Sequence, residues 1–369
     1  MRIALVVPGG VDRLGQYRVI PALLALIRRL SVDLDVQVIA TNQETAPGTW
    51  PLAGAHVHNI GSGHTVIRAV GAIRSLHRAE PFDVIHSIWS GGCGLIAVLA
   101  ARLLGVPSVI HVAGGELVAL YDINYGGRLN WRGRIREALV LRATQRITAA
   151  SQPILQSLSN LGLHGERIPL GVDLSEWPCR EPVRRATGHS PRLIHLASLN
   201  HVKDQTTLLR ALALLKQSGE RFQMEIVGED TLRGAMQSLA EDLGLSTYVR
   251  FLGFRTQTEL RPIIEAADIL VMSSRHEAGP LAMLEAAVVG VPVVGTAVGH
   301  IAEWAPDAAV AVPVRDPVAL AGAVSQLIHD EDLRFRIATA AHKRAVVEDA
   351  DYTARQFETL YAELTRERR

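Results

Sequence analysis

Two glutamates eight residues apart, Glu277 and Glu285, stand in the run Ser274-Arg-His-Glu-Ala-Gly-Pro-Leu-Ala-Met-Leu-Glu285. Apolar runs at Ile269–Met272 and Val291–Val294 flank it and read as strands, so the spacing predicts a loop that turns into a helix. Pro280 suits the first helical position, where its missing N–H costs nothing, and Gly290 with Pro292 stops the helix. Free backbone N–H groups at Leu281 and Ala282, together with the helix dipole, favour an anion such as a phosphate. Carboxylates would repel that anion. Glu277 on the loop and Glu285 within the helix are suited instead to accepting paired hydrogen bonds from vicinal sugar hydroxyls. A ligand with both groups is a nucleotide sugar. Acids at this spacing are common on surfaces, and a dipole alone favours an acid near a helix start, so the surroundings carry the argument.

The elements around the pair give it a frame. Strands are expected at Ile3–Val7, Val36–Ala40, Val84–Ser87, Ser108–Val112 and Arg146–Ala150. Helical stretches lie between them, at about 16–30, 64–78, 93–104, 130–145 and 151–161. Residues 174–191, with three prolines and many charges, read as a linker. The alternation then restarts with strands Leu193–Ala197, Met224–Val227, Val249–Leu252, Ile269–Met272, Val291–Val294 and Ala309–Val312. Short β-branched runs separated by helices predict parallel sheets covered on both faces. The expected fold class is α/β, with two doubly wound Rossmann-like domains facing a cleft and ligands at strand carboxyl ends. After the first strand, Pro8-Gly-Gly-Val-Asp-Arg-Leu-Gly15 places Gly9 and Gly10 where a backbone can approach a ligand closely. It is neither a Walker A loop nor a dinucleotide fingerprint.

The run from Asp268 to Glu303 resembles the signature of the retaining GT-B glycosyltransferases, in particular family 4. Ala197-Ser-Leu-Asn-His-Val-Lys203-Asp-Gln resembles that family's stretch at the start of its second domain, and Val249-Arg-Phe-Leu-Gly-Phe254 its stretch before the base-binding loop. The resemblance implies a domain at 1–175 on the acceptor side, a donor domain at 190–349, and a last helix, about 350–369, crossing back onto the first domain. It implies a retaining, metal-independent hexosyl transfer from a nucleoside-diphosphate sugar, UDP- or GDP-linked, with no cofactor. The departing phosphate takes the acceptor's proton, so no side-chain nucleophile is expected. Lys203 matches the lysine that holds the diphosphate. Glu277 would bind sugar hydroxyls at the reaction centre, with Ala278, Gly279, Leu281 and Ala282 around the sugar, Glu285 on the ribose and Phe254 near the base. Gly9 and Gly10 are carried over to the donor site, and Asp12, Arg13 and Glu116 to the acceptor.

The chain departs from the pattern in three places. Ser198 stands where the family has an arginine, which removes a cation from the donor site; Arg275 or Arg13 are candidates to replace it. Pro280 removes a backbone donor from the sugar loop. In Val109-Ile-His-Val-Ala-Gly-Gly-Glu116 the family's catalytic-site histidine aligns with Ala113. His111, two residues earlier and on the same face of the strand, is either its substitute or a core histidine. His86 reads as structural, as does the turn Arg167–Asp173.

Composition limits the alternatives. The 369 residues suit two domains. Two cysteines make no disulfide framework and fit a reducing, cytoplasmic setting. No apolar run is long enough for a membrane span, and no cluster has metal-ligand spacing. Residues 1–175 hold 16 Arg, no Lys and 11 acids, a net +5, against −4 for the remainder. Much of the excess lies at 128–146, an amphipathic helix with a basic face that fits an anionic membrane surface or acceptor, or simply solvent. No aromatic-interleaved basic patch points to nucleic acid. Glycolipid, polysaccharide or cell-envelope glycan synthesis is the expected setting. The competing readings are a sugar-nucleotide-binding protein with a decayed site, motivated by Ser198 and Ala113, and an epimerase or hydrolase of the same fold.

Overall fold

The computed structural model describes residues 1–186, 188 and 190–367. The chain forms two compact units: Met1–Asp173 with the C-terminal stretch from Asp349, and Leu174–Glu348.

The first unit holds strands β1 (Arg2–Val7), β2 (Asp35–Ala40), β3 (Gly48–Leu52), β4 (Ala55–Asn59), β5 (Val84–Ile88), β6 (Ser108–Val112), β7 (Arg146–Ala149) and β8 (Glu166–Arg167). They form one sheet in the order β3-β4-β2-β1-β5-β6-β7-β8, parallel except where β3 runs against β4. Helices α1 (Pro21–Asp33), α2 (Thr65–Ala79), α3 (Gly92–Leu104), α4 (Trp131–Ala143) and α5 (Gln152–Ser159) connect the strands. Alternation along β1 feeds two layers: Ile3, Leu5 and Val7 pack into one core, Ala4 and Val6 into the other. Both faces are therefore covered, and the strands read as unbroken apolar runs.

The second unit holds β9 (Arg192–Leu196), β10 (Gln223–Val227), β11 (Val249–Gly253), β12 (Ile269–Met272), β13 (Val293–Thr296) and β14 (Val310–Val312). Its sheet is parallel throughout, in the order β11-β10-β9-β12-β13-β14. Its helices are α6 (Gln205–Gln217), α7 (Ala235–Asp242), α8 (Gln257–Glu265), α9 (Leu281–Val288), α10 (Gly299–Trp304), α11 (Pro317–His329) and α12 (Glu331–Val347). The last helix, α13 (Ala350–Glu367), belongs to the first unit. The expected 350–369 stretch thus ends beyond the described residues.

Helices α12 and α13 are separate, because Asp349 caps α13 by accepting from the Tyr352 N–H at 2.7 Å while the Ala350 N–H goes to the Val172 carbonyl at 2.9 Å. Its Phe357, Leu360, Tyr361 and Leu364 complete the core beneath β1 and β5. The Tyr361 hydroxyl lies 2.6 Å from His86 Nδ1. Burial pushes His86 well below the ordinary histidine range and the Tyr361 hydroxyl upward, so a neutral phenol donates to a neutral imidazole. Asp173, ending the turn 167–173, accepts from Arg28 and Arg29 at 2.9 Å each.

Three other expectations shift. The hairpin β3–β4 was not legible, since Pro51 breaks the run, yet a proline is tolerated on this edge strand. Helix α1 starts at Pro21 rather than near 16, because residues before it are held by a bridge between Gly10 and Val19. Residues 174–186 of the supposed linker are bound into the second unit: Trp177 is buried, Arg185 pairs with Glu331 at 2.7 Å, and the Arg180 N–H donates to the Val288 carbonyl. Thr187 and His189 of that stretch lie outside the described residues.

Phe357 is fully buried, so Phe357→Ala should cost about 3–5 kcal/mol. Urea unfolding followed by tryptophan fluorescence will show this as a lowered midpoint at an unchanged slope.

Candidate functional site

Three loops at the carboxyl ends of adjacent strands β9, β12 and β13 are tied together in the second unit. The Arg275 N–H donates to the Val202 carbonyl at 2.7 Å, and Ser273 Oγ to the Lys203 carbonyl at 2.8 Å. Thr296 Oγ1, at the end of β13, donates to the Ser274 carbonyl at 2.5 Å. Across this junction Lys203 Nζ sits 2.6 Å from Glu277 Oε1, which also accepts from Ser274 Oγ at 2.6 Å. Both side chains are partly exposed, at 25% and 10%. A half-covered ion pair with one more donor is firmly held, yet open to a ligand.

Local sequence explains the turn that presents Lys203. Asn200 Oδ1 accepts from the Val202 and Lys203 N–H groups at 3.1 Å each, an Asx turn. Asp204 then caps α6, accepting from the Thr207 N–H. Beneath the loop, His195 is fully buried and burial lowers its pKa to about 4. The neutral ring donates from Nδ1 to the Val271 carbonyl at 2.8 Å, which leaves Nε2 to accept from Gln205 Nε2 at 3.1 Å. Gln205 also reaches the Ser198 carbonyl. Ser198 itself is exposed. Glu277 and Ala278 are crowded from the other side by Gly299, at φ +51°, where a Cβ would come within 3.0 Å of the Glu277 carbonyl.

Pro280 is the N-cap of α9, one position before the first helical residue where it was expected. The Met283 N–H is taken by the Pro280 carbonyl, which leaves the N–H groups of Leu281 and Ala282 as the helix-start donors. Glu285 lies one turn further in and is buried. Gln257 Nε2 donates to Glu285 Oε1 at 3.1 Å, and Trp177 Nε1 donates to Gln257 Oε1 at 2.8 Å. Burial pushes Glu285 up to about 7, and the bond from Gln257 offsets only part of that. A capping box, Thr256 with Glu259, starts α8 and so fixes Gln257. Phe254, just after β11, is about half exposed.

In the first unit Gly10 has φ +80°, and a Cβ there would strike Ile20 at 2.6 Å. Gly9 is crowded by Gln43, whose Oε1 accepts from the Val11 N–H at 3.0 Å. Asp12 Oδ2 accepts from the Leu14 N–H. Arg13 makes a two-pronged ion pair with Glu44 at 2.7 and 2.9 Å and lies over Trp50; in this state its charge is committed within its own unit. Arg275 places its backbone beside Lys203.

His111 is packed within the first unit, which favours the core reading of the two that its position allowed. It has no exposed surface, its Nδ1 contacts Thr148 Oγ1 at 2.9 Å, and Phe357 meets its ring edge-on. Burial drops its pKa to about 3. Glu116 lies past the same strand with 8% exposure; burial raises it to about 7, and one oxygen accepts from the Ser90 N–H at 3.3 Å. Ser90 Oγ is also bonded to the buried Glu137 of α4. Among the described residues no group of His, Cys, Asp and Glu could hold a metal ion.

The family model described as glycosyl transferases group 1 matches residues 181–344, and that of the glycosyl transferase 4-like domain matches residues 5–171. The two matches together take in most of the chain. The chain is a GT-B glycosyltransferase of the group 1 superfamily. This glycosyltransferase is 27% identical to the D-inositol 3-phosphate glycosyltransferase of Salinispora arenicola over 92% of its own length and 86% of the relative's. It is 28% identical to EpsF of Bacillus subtilis over 65% of its length, spanning 64% of that protein. Its fold matches sucrose-phosphate synthase from Thermosynechococcus elongatus with a TM-score of 0.81, 16% identity and 99% coverage of both chains. It also matches Anabaena HepE, solved in complex with UDP and glucose, with a TM-score of 0.73, 18% identity, and coverage of 98% and 100%.

Sequence reasoning missed Trp177, Gln257, Asn200 and Gly299 in this glycosyltransferase. Only Asn200 carried a local signal, an Asx residue three before the lysine.

Burial holds the Glu285 proton to about pH 7 against an ordinary 4.5, so the wild-type fold loses stability as pH rises through that window. Glu285→Gln should therefore stabilise the unliganded protein by up to about 3 kcal/mol at pH 8. At pH 4.5 it should have little effect; thermal melts at the two pH values check this. Gly299→Ala should lower the melting temperature and disturb the Lys203–Glu277 pair, visible as a changed Lys203 side-chain NMR signal.

Proposed function

We propose that the chain is a retaining, metal-independent glycosyltransferase that moves a hexosyl group from a nucleoside-diphosphate sugar to a hydroxyl acceptor. The observation that carries this reading is the Lys203–Glu277 pair at the strand ends, beside the start of α9 and one turn from the buried Glu285. A cation on the loop after β9, with helix-start N–H groups and carboxyl groups on the loop and helix after β12, matches the diphosphate and hydroxyls of such a donor.

In this reading Lys203 and the N–H groups of Leu281 and Ala282 hold the diphosphate, and Lys203 shares its charge between phosphate and Glu277. Glu277 accepts from the sugar hydroxyls, with Ala278 and Gly279 lining the sugar, and Glu285 accepts from the ribose. Phe254 lies against the base. Ser198 offers a hydroxyl, not a cation, so leaving-group charge falls chiefly on Lys203 and the helix start. The acceptor oxygen attacks C1 on the face that the phosphate leaves; the C1–O bond to phosphate breaks, and the phosphate takes the acceptor's proton. Gly9 and Gly10 remain proposed donor-site residues of the first unit, and Asp12, Arg13 and Glu116 its acceptor-side candidates. Arg13 serves only if it leaves Glu44.

The UDP and UDP-glucose complexes of the Anabaena structures favour UDP as the first base to try, with GDP next. Synthesis of a glycolipid, a polysaccharide or another cell-envelope glycan is the proposed setting. A cytoplasmic site accords with two unpaired cysteines, Cys93 buried and Cys179 exposed. No helix among the described residues is long and apolar enough to cross a membrane.

The test is calorimetry and thermal shift with UDP, GDP, ADP and their sugars, with and without Mg2+, on wild type and Glu285→Ala. A ligand at a hundred times its dissociation constant should add about 2.7 kcal/mol. Selective, metal-independent stabilisation lost in Glu285→Ala supports the donor site; no stabilisation by any of them moves a decayed, non-catalytic site ahead. Because ribose hydroxyls need the Glu285 carboxylate, donor affinity should fall as pH drops below about 7, and binding near that pH should release a proton into the buffer.

A further inference from the structure

Helix α4 buries Gly133, Glu137, Val140 and Leu141. At 3.6 residues per turn the opposite side carries Trp131, Ile135 and Leu139, successive turns of one ridge. They are 65%, 50% and 65% exposed. Arg132 and Arg136 border the ridge on one side and Arg134 on the other; Arg142 continues it, and all four are exposed. On α3, which packs beside α4, Leu99 and Leu103 are a turn apart and also exposed. The helices meet closely, since a Cβ on Gly94 would stand 2.9 Å from Val140.

The charges here differ from those elsewhere in the unit. Arg2 pairs with Asp35, Arg13 with Glu44, Arg29 with Asp173 and Arg146 with Glu367. Arg134 donates instead to the Arg128 carbonyl and to the Tyr121 hydroxyl, and Arg142 to the Leu161 carbonyl. Arg132 lies over the Trp131 ring at 5.4 Å. The one acid of the helix, Glu137, is turned inward. The surface therefore offers exposed cations, Arg134 and Arg142 bonded to neutral partners, around an apolar ridge led by a tryptophan.

We propose that the α4 ridge docks the protein on the surface of a bilayer containing anionic phospholipid, with Trp131, Ile135 and Leu139 entering the headgroup–acyl boundary and the flanking arginines meeting lipid phosphates. A solvated helix needs no apolar ridge at successive turns. An interfacial helix needs both ridge and arginines. Each arginine near such a surface strengthens attraction several-fold, and salt weakens it.

The experiment is co-sedimentation with phosphatidylcholine vesicles, with and without an equal part of phosphatidylglycerol, at about 0.1 M and about 0.5 M salt. It compares wild type, the double variant Arg132→Glu/Arg136→Glu and the triple variant Trp131→Ser/Ile135→Ser/Leu139→Ser. All changed positions are exposed, so melting temperatures should stay near wild type and confirm folding. Wild type should sediment with the anionic vesicles only, less at high salt. Each variant should bind at least about tenfold more weakly. Failure of wild type to bind anionic vesicles at low salt, or equal binding by the variants, overturns the proposal. So does a wild-type dimer in sedimentation velocity that the triple variant dissolves, which would assign the ridge to a second copy. No donor or acceptor enters this readout, so it stands or falls apart from the glycosyl-transfer reading.

Discussion

The ion pair between Lys203 and Glu277 joins two loops that the chain separates by 74 residues. A parallel sheet brings the loops after β9 and β12 to the same edge but sets neither their height nor their direction. The pair, with the bonds from Ser273, Arg275 and Thr296 around it, supplies that missing specification. Remove the attraction and both loops become ordinary surface connections. The buried polar chain below, Val271–His195–Gln205–Ser198, acts in the same direction by fixing the backbone of the lysine's loop. His195 is satisfied at both ring nitrogens by staying neutral, while Gln205 bonds through its Nε2 and leaves its buried Oε1 without a partner.

Glu285 follows another logic. Its carboxyl is buried and accepts from Gln257, so ionising it is unfavourable. The cost is local, and the structure around it is rigid: Trp177 holds Gln257, and Gln257 holds the acid. A pair of hydroxyl donors arriving at this carboxyl would relieve that same desolvation penalty. In the proposed donor site, binding strength and instability would thus be two aspects of one buried group.

How much of this was legible in the sequence follows from how local each cause is. The loop-to-helix turn at 273–288 could be read because its signals sit close together, between Ile269 and Gly290: an apolar run, Pro280, an eight-residue helix and the glycine. Parallel sheets were legible from unbroken β-branched runs such as Ile269–Met272. The hairpin β3–β4 was not, because its Trp50 and Val57 look isolated until the edge of the sheet exists to receive them. Nor was the attachment of residues 174–186, since the proline-rich composition of a linker also suits a strap whose side chains reach distant partners, as Arg185 reaches Glu331. His111 shows the limit most plainly. Its register on β6 could be counted, but the ring that closes over it belongs to Phe357, 246 positions later, and no local pattern announces that.

The first unit is built from both ends of the chain, and that order has a consequence during synthesis. The second unit is one continuous segment and is complete once Glu348 has been made. The first must wait for α13, because Phe357, Leu360 and Tyr361 floor its sheet. Domains commonly fold as they emerge, the earliest first. Here the ribosome releases the finished domain in reverse: the part begun first is sealed last, and until then its apolar sheet face lies open to any chaperone that holds nascent chains.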